Sequence, residues 1–223
     1  MTVLLVLATF VLFLVVDHFY SKRPAVRPVM EVQPQAGVGL TLQPNVVSGF
    51  VVPDNVRYHP GHTWALAESP KLVRIGFDDF ASRLMGRVEK ITLPQRGQWV
   101  RQGQKIWSVE RSGMKTDMVS PIEGVVTEIN EAAAQDPNSA RRDPYGEGWM
   151  LTVESPDAKL NFRNLLNGDL ARWWMEEAAT RLRSHLPIPA GAVAQDGGMV
   201  VSDLGTGLTD DAWKQATQEF FLG

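Results

Sequence analysis

The stretch from Val100 to Pro121, VRQGQKIWSVERSGMKTDMVSP, constrains the fold of this chain most, because it reads as two β-strands turned back on each other. Ile106, Ser108 and Glu110 alternate with Trp107 and Val109 on the way in, and Met118, Val119 and Ser120 lead out to Pro121. The turn falls near Ser112-Gly113-Met114-Lys115, where glycine adopts positive φ without steric cost. A proline and a glycine-punctuated strand, Ser120 to Val126, come next.

The same grammar extends over Tyr58 to Glu154. Short apolar runs at Leu72 to Ile75, Val88 to Leu93, Gln104 to Glu110, Gly124 to Ile129 and Trp149 to Val153 are separated by glycine, proline or acidic turns. That is the pattern of a compact antiparallel sandwich or barrel. Asp78 to Leu84 reads as one or two helical turns, and Asn130 to Gln135 as a short helix with Asn130 as its cap. Arg141-Arg142 reads as a solvated surface pair. With 223 residues the chain suits one good core plus appendages, and a net charge of −3 gives no general pull toward nucleic acid. The chain has no cysteine, which removes disulfides and thiolate chemistry. No metal site is expected: the four histidines are scattered, and Pro60-Gly61 denies His59 and His62 a shared helix face. No nucleophile with a base and no phosphate loop is present, so the chain is not read as an enzyme.

At the N-terminus, Met1 to Val16 carries no charged side chain, and Asp17-His18-Phe19-Tyr20 then brings an aromatic, polar boundary. Twenty helical residues rise about 30 Å, the hydrocarbon thickness of a bilayer. Residues 1–20 are therefore expected to form one transmembrane helix. Lys22, Arg23 and Arg27 follow it, so the positive-inside rule places the body on the cytoplasmic side of the inner membrane. Residues 21–53 are spaced by Pro24, Pro28, Pro34, Pro44 and Pro53 and read as an extended tether with one short edge strand near Gly49 to Val52.

Phe162 to Ser184 turns helical, with Asp169 as its cap and Leu170, Trp174, Ala178 and Leu182 recurring on one face. Glu177 and Arg181 form an i,i+4 pair; Trp173 and Trp174 are read as core, with a partner surface as the alternative because two adjacent tryptophans cannot both face the same stripe. Residues 185–223 open as a proline- and glycine-rich acidic linker and close on a helix capped by Thr209, with Trp213, Ala216 and Phe220 in an apolar stripe. That helix either folds back on its own domain or docks in a partner's groove.

Tyr58, His62 and Trp64, the segment VRIGFDDFASRLMG from Val73 to Gly86, Leu93-Pro94 with Gly97, Val100 and Gly103, and the run Asp143-Pro144-Tyr145-Gly146-Glu147-Gly148-Trp149 together resemble the H-protein of the glycine cleavage system, a lipoyl carrier. The resemblance spans roughly Tyr58 to Arg183. It implies a mainly β fold with α, a lipoyl-type β-sandwich (barrel-sandwich hybrid) with a C-terminal helix, over residues 54–184. It also implies a lipoylated lysine three residues after a glutamate and four before an aspartate. Glu110, Asp117 and Pro121 keep the family spacing, and this register puts Gly113 where that lysine belongs. Lys115 lies two residues late. The chain is accordingly expected to carry no lipoate and to serve as a scaffold or accessory subunit for protein partners in a membrane complex; lipoate on Lys115 is the alternative. Asp143, Tyr145, Trp149, Trp213 and Phe220 are the candidate interaction residues.

Overall fold

The computed structural model describes residues 45–185 and 203–222. The expected transmembrane helix at 1–20, most of the tether and the linker at 186–202 lie outside the described residues. Among the described residues no helix is long and apolar enough to cross a membrane.

Two antiparallel sheets carry the fold. Strands β3 (Arg57–His59), β4 (Thr63–Ala67), β5 (Leu72–Phe77), β11 (Trp149–Glu154), β10 (Gly124–Ile129) and β7 (Trp99–Val100) pair in that order into a six-stranded sheet. Strands β6 (Lys90–Thr92), β8 (Lys105–Arg111) and β9 (Met114–Val119) form the second. The five apolar runs of the sequence are β5, β6, β8, β10 and β11; β3, β4 and β7 are additional. A small hairpin of β1 (Val46–Val47) and β2 (Phe50–Val51) precedes them. Its Phe50 and the following Val52 are buried, and the Val51 N–H donates to Asp79 Oδ2 at 2.8 Å. The folded unit thus begins inside the stretch read as tether, because those apolar side chains complete the core.

Gly76 shows how the sheet closes. It lies in register between Trp64 of β4 and Trp149 of β11, and the Trp64 indole covers its backbone so closely that a Cβ would come within 2.7 Å of the ring. Trp64 is fully buried, and its Nε1–H is shared between the carbonyls of Phe77 at 2.8 Å and Pro144 at 3.0 Å.

The helices fit the sequence where local caps define them. Helix α1 (Asp79–Met85) is capped by Asp78, and α2 (Glu131–Gln135) by Asn130, whose side chain accepts from the Ala133 N–H. Helix α3 (Pro137–Arg142) follows at once. The single helix expected from Phe162 is in fact two, α4 (Ala158–Arg163) and α5 (Gly168–His185). Between them Leu166 exchanges two backbone hydrogen bonds with Tyr58, of 2.8 and 2.9 Å, and this bridge interrupts the helical ladder. Asp169 sits in the first turn of α5 and pairs with Arg172 instead of capping. Trp174, Ala178 and Leu182 are buried as the periodicity requires, but Leu170 is 56% exposed and Trp173 is 62% exposed.

The C-terminal helix α6 (Asp210–Phe221), capped by Thr209, folds back on the domain. It draws Arg181 to Glu219 at 3.6 Å in place of the expected Glu177. Arg141 also departs from a solvated role: it donates to the Ser82 carbonyl at 3.1 Å and reaches Asp203 at 3.8 Å.

Replacing Gly76 with alanine is predicted to destabilise the fold by about 1–3 kcal/mol, since the methyl must displace a packed indole. Urea denaturation measures this, and an unchanged midpoint would mean that Trp64 is free to move.

Candidate functional site

Strands β8 and β9 meet in a two-residue turn. Ser112 has φ 49° and Gly113 φ 75°, the left-handed values that a type I′ hairpin demands at both central positions. Arg111 pairs with Met114 and Glu110 with Lys115, so the turn is tighter than the four residues from Ser112 to Lys115 that the sequence indicated. Gly113 stands at the tip, exposed, with nothing within 4 Å of where its Cβ would be. Lys115 is exposed on the returning strand, on the same face as Asp117, two residues on. Asp117 receives the Lys105 ammonium at 3.3 Å. A cavity of about 210 Å³ adjoins Lys115, walled by Leu93, Pro94, Gln98 and Asp117 among others.

The opposite flank of the hairpin is covered by the C-terminal helix. The Arg111 guanidinium lies over the Trp213 ring, 5.5 Å from its centroid, and Trp213 Nε1–H donates to the Leu84 carbonyl at 3.1 Å. Sequence reasoning missed Arg111; its partner is remote in the chain, so no local spacing signals the contact. Trp213 and Phe220 are each 1% exposed, which corrects their assignment as partner-contacting residues: both are core.

The three remaining interaction candidates share one loop. Asp143 accepts the N–H groups of Gly146 at 3.0 Å and Glu147 at 2.9 Å, and so shapes its own turn. Tyr145 donates its hydroxyl to the Val51 carbonyl at 2.8 Å and accepts the Asp79 N–H at 3.2 Å, pinning the first hairpin to α1. Trp149 is half-buried with the Arg74 guanidinium 5.1 Å from its ring centroid. Asn130 donates to the carbonyls of Glu147 and Trp149 and ties the loop to α2.

The entry-segment residues are also structural. Tyr58 donates to the Pro53 carbonyl at 2.9 Å, and burial pushes its phenol far above the ordinary tyrosine value. The His62 ring, buried, stacks on Phe80 with centroids 4.0 Å apart and lies tilted against Trp174 at 4.5 Å, and its Nδ1 meets Asp78 Oδ2 at 2.8 Å. His59 does not join it around a common point. Its Nδ1 accepts the Gly61 N–H at 3.0 Å, which requires that nitrogen to be unprotonated.

The family model described as Glycine cleavage H-protein matches residues 56–177. A glycine cleavage system H protein from Anaeromyxobacter sp. (strain K) is 35% identical over 108 residues, which is 48% of this chain and 84% of that one. One from Xanthomonas euvesicatoria pv. vesicatoria (strain 85-10) is 35% identical over 118 residues, 53% of this chain and 89% of the relative. Among solved structures, the crystal structure of a glycine cleavage system H protein from Mycobacterium marinum shares 29% identity and a TM-score of 0.44, covering 47% of this chain and 87% of that one.

Two predictions follow from this geometry. Valine at Gly113 should cost about 1–2 kcal/mol, because a β-branched residue is strained at φ 75° although space is open; equal denaturation midpoints would refute the strained turn. The second concerns His59, whose pKa is pushed down from 6.5 to about 4 by burial first and by the charge of His62 second. The unfolded chain then binds a proton that the folded chain refuses, so this contribution to stability is whole above pH 6.5 and is lost as pH falls toward 4. Melting temperatures of wild type should drop across that window more steeply than those of His59→Gln, and parallel curves would dismiss the assignment.

Proposed function

We propose, from the premise that this chain belongs to the glycine cleavage H-protein family, that it is a non-catalytic domain that binds protein partners and carries no lipoyl group. The observation that supports this reading most is the hairpin register. Glu110, Asp117 and Pro121 keep the spacing that the resemblance requires, and the residue between them at the turn is Gly113, which offers no amine. With glycine at that position, the tip holds no lysine through which a lipoyl group could be joined. Lys115 points its amine from the returning strand, directly across from Glu110, a different place from which to present an arm.

In this reading the apolar run at 1–20 anchors the chain as a single pass in the inner membrane, with the body in the cytoplasm. The domain is then an accessory subunit or scaffold of a membrane-associated complex. The surface open to a partner includes the loop of Asp143 and Trp149 and the exposed Trp173 of α5. The alternative, a carrier in which Lys115 takes lipoate, draws on a separate observation: its amine is solvent-accessible beside the 210 Å³ cavity.

Intact-mass measurement on protein purified from its native host distinguishes the two. The unmodified mass is expected, and Lys115→Arg should leave assembly of the host complex unchanged. Gly113→Lys, by placing an amine at the tip, should make the domain a substrate for a lipoyl ligase. Lipoate on wild-type Lys115, with Gly113→Lys left unmodified, would establish the carrier instead.

A further inference from the structure

Away from the hairpin, α4 and the β4–β5 connection border an open cavity of about 600 Å³ that neither the fold nor the proposed function uses. Its walls are largely apolar, formed by Ala67, Pro70, Ala158 and Phe162. Three cations border it. Lys159 and Arg163, four residues apart, stand on one face of α4, and Arg57 approaches from β3. Among the described residues no acidic side chain lines the cavity. Glu68, the nearest acid in sequence on that connection, is turned to Arg74 at 2.5 Å. Among the described residues Arg57, which is half-buried, and the exposed Lys159 and Arg163 make no ion pair, whereas the half-buried Arg74 and Arg172 each pair with an acid.

We propose that this cavity binds a small organic carboxylate with an apolar, aryl or acyl body. Its volume falls in the range of small-molecule pockets, about 300–1,000 Å³, and the combination of an apolar floor with a few converging polar groups is how such pockets orient a ligand. The body of the ligand packs on Phe162, Ala158 and Ala67, where it leaves water. Its carboxylate takes the unneutralised charge of Arg57, Lys159 and Arg163, with Arg57 or Arg163 offering the two parallel N–H donors that suit a carboxylate. An uncharged molecule of the same shape gains the first contribution and lacks the second. The apolar floor favours a ligand with an apolar body over a flat membrane surface, which would meet the cations but leave that floor uncovered.

The probe pair is 3-phenylpropionate and 3-phenylpropan-1-ol, which share an aromatic body and differ in charge. The full chain, with alanine methyls isotopically labelled, is held in phosphatidylcholine nanodiscs that accommodate its apolar N-terminal run, and methyl NMR follows each titration. The Ala67 and Ala158 methyls should shift saturably with the carboxylate, and the alcohol should bind at least about five-fold more weakly. The double variant Lys159→Gln, Arg163→Gln alters two exposed side chains, so it should keep the wild-type melting temperature while losing that preference. Equal affinity for acid and alcohol in wild type would overturn the proposal. So would shifts confined to other alanines, no saturable shift at millimolar ligand, or tight association of the wild type with phosphatidylglycerol nanodiscs in the absence of any response to the free acid.

Discussion

The buried carboxylate of Asp78 links helix α1 to a histidine on which two further helices pack. One oxygen caps α1 by accepting the Ala81 N–H at 2.8 Å, and the other meets His62 Nδ1 at the same distance. His62 is thereby fixed flat against Phe80 of α1 and tilted against Trp174 of α5, with Phe220 of α6 presenting its edge at 6.0 Å. Three helices that the sequence separates widely are referenced to one imidazole. Removing either partner leaves the other buried polar group without this hydrogen bond, which costs about 1–3 kcal/mol. The pair's importance is thus in the arrangement it enforces, more than in its net contribution to stability.

That arrangement sets the position of the hairpin. Helix α6 rests on β9 and on α1, and it can do so because Phe220 finds its place in the aromatic stack beside His62. Trp213 then lies under Arg111, the last residue of β8 before the turn. A hairpin with only two residues in its turn has its tip direction fixed by its strands, and here one strand end is clamped from the side. The consequence is a tip bearing Gly113 whose direction is set by the strands, with Lys115 on the strand below it paired across to Glu110.

Most of the residues that carry the family resemblance turn out to hold the fold. Trp64 covers Gly76, Tyr145 joins the first hairpin to α1, Asp143 shapes its own loop, and Tyr58 interrupts the helical run at Leu166. Each makes its contacts inside the domain, so retention of these side chains follows from packing and hydrogen bonding regardless of what the tip carries. Buried phenol and indole groups usually have their polar atoms satisfied, and Tyr58, Trp64, Tyr145 and Trp213 each donate to a backbone carbonyl, whereas the buried Trp107 Nε1–H finds no partner.

The division between sequence and structure follows interaction range. Features decided by neighbours within four residues were legible: the positive φ of Gly113, the caps supplied by Asn130 and Thr209, the strands Gly124–Ile129 and Trp149–Glu154, and the core stripe from Trp174 to Leu182. The spacing of Glu110, Gly113 and Asp117 was equally a property of the sequence alone. What only the tertiary structure decided was the choice among remote partners. Arg181 prefers Glu219 to Glu177, Leu166 leaves its helix for Tyr58, the amphipathic C-terminal helix selects its own domain, and Arg57 is brought beside Lys159 and Arg163. In each case the local preference is worth a few tenths of a kcal/mol, as for an exposed i,i+4 pair, and burial of a large apolar side chain is worth several times that. Where the two conflict, packing between distant segments prevails, and no spacing in the sequence records which segments will meet.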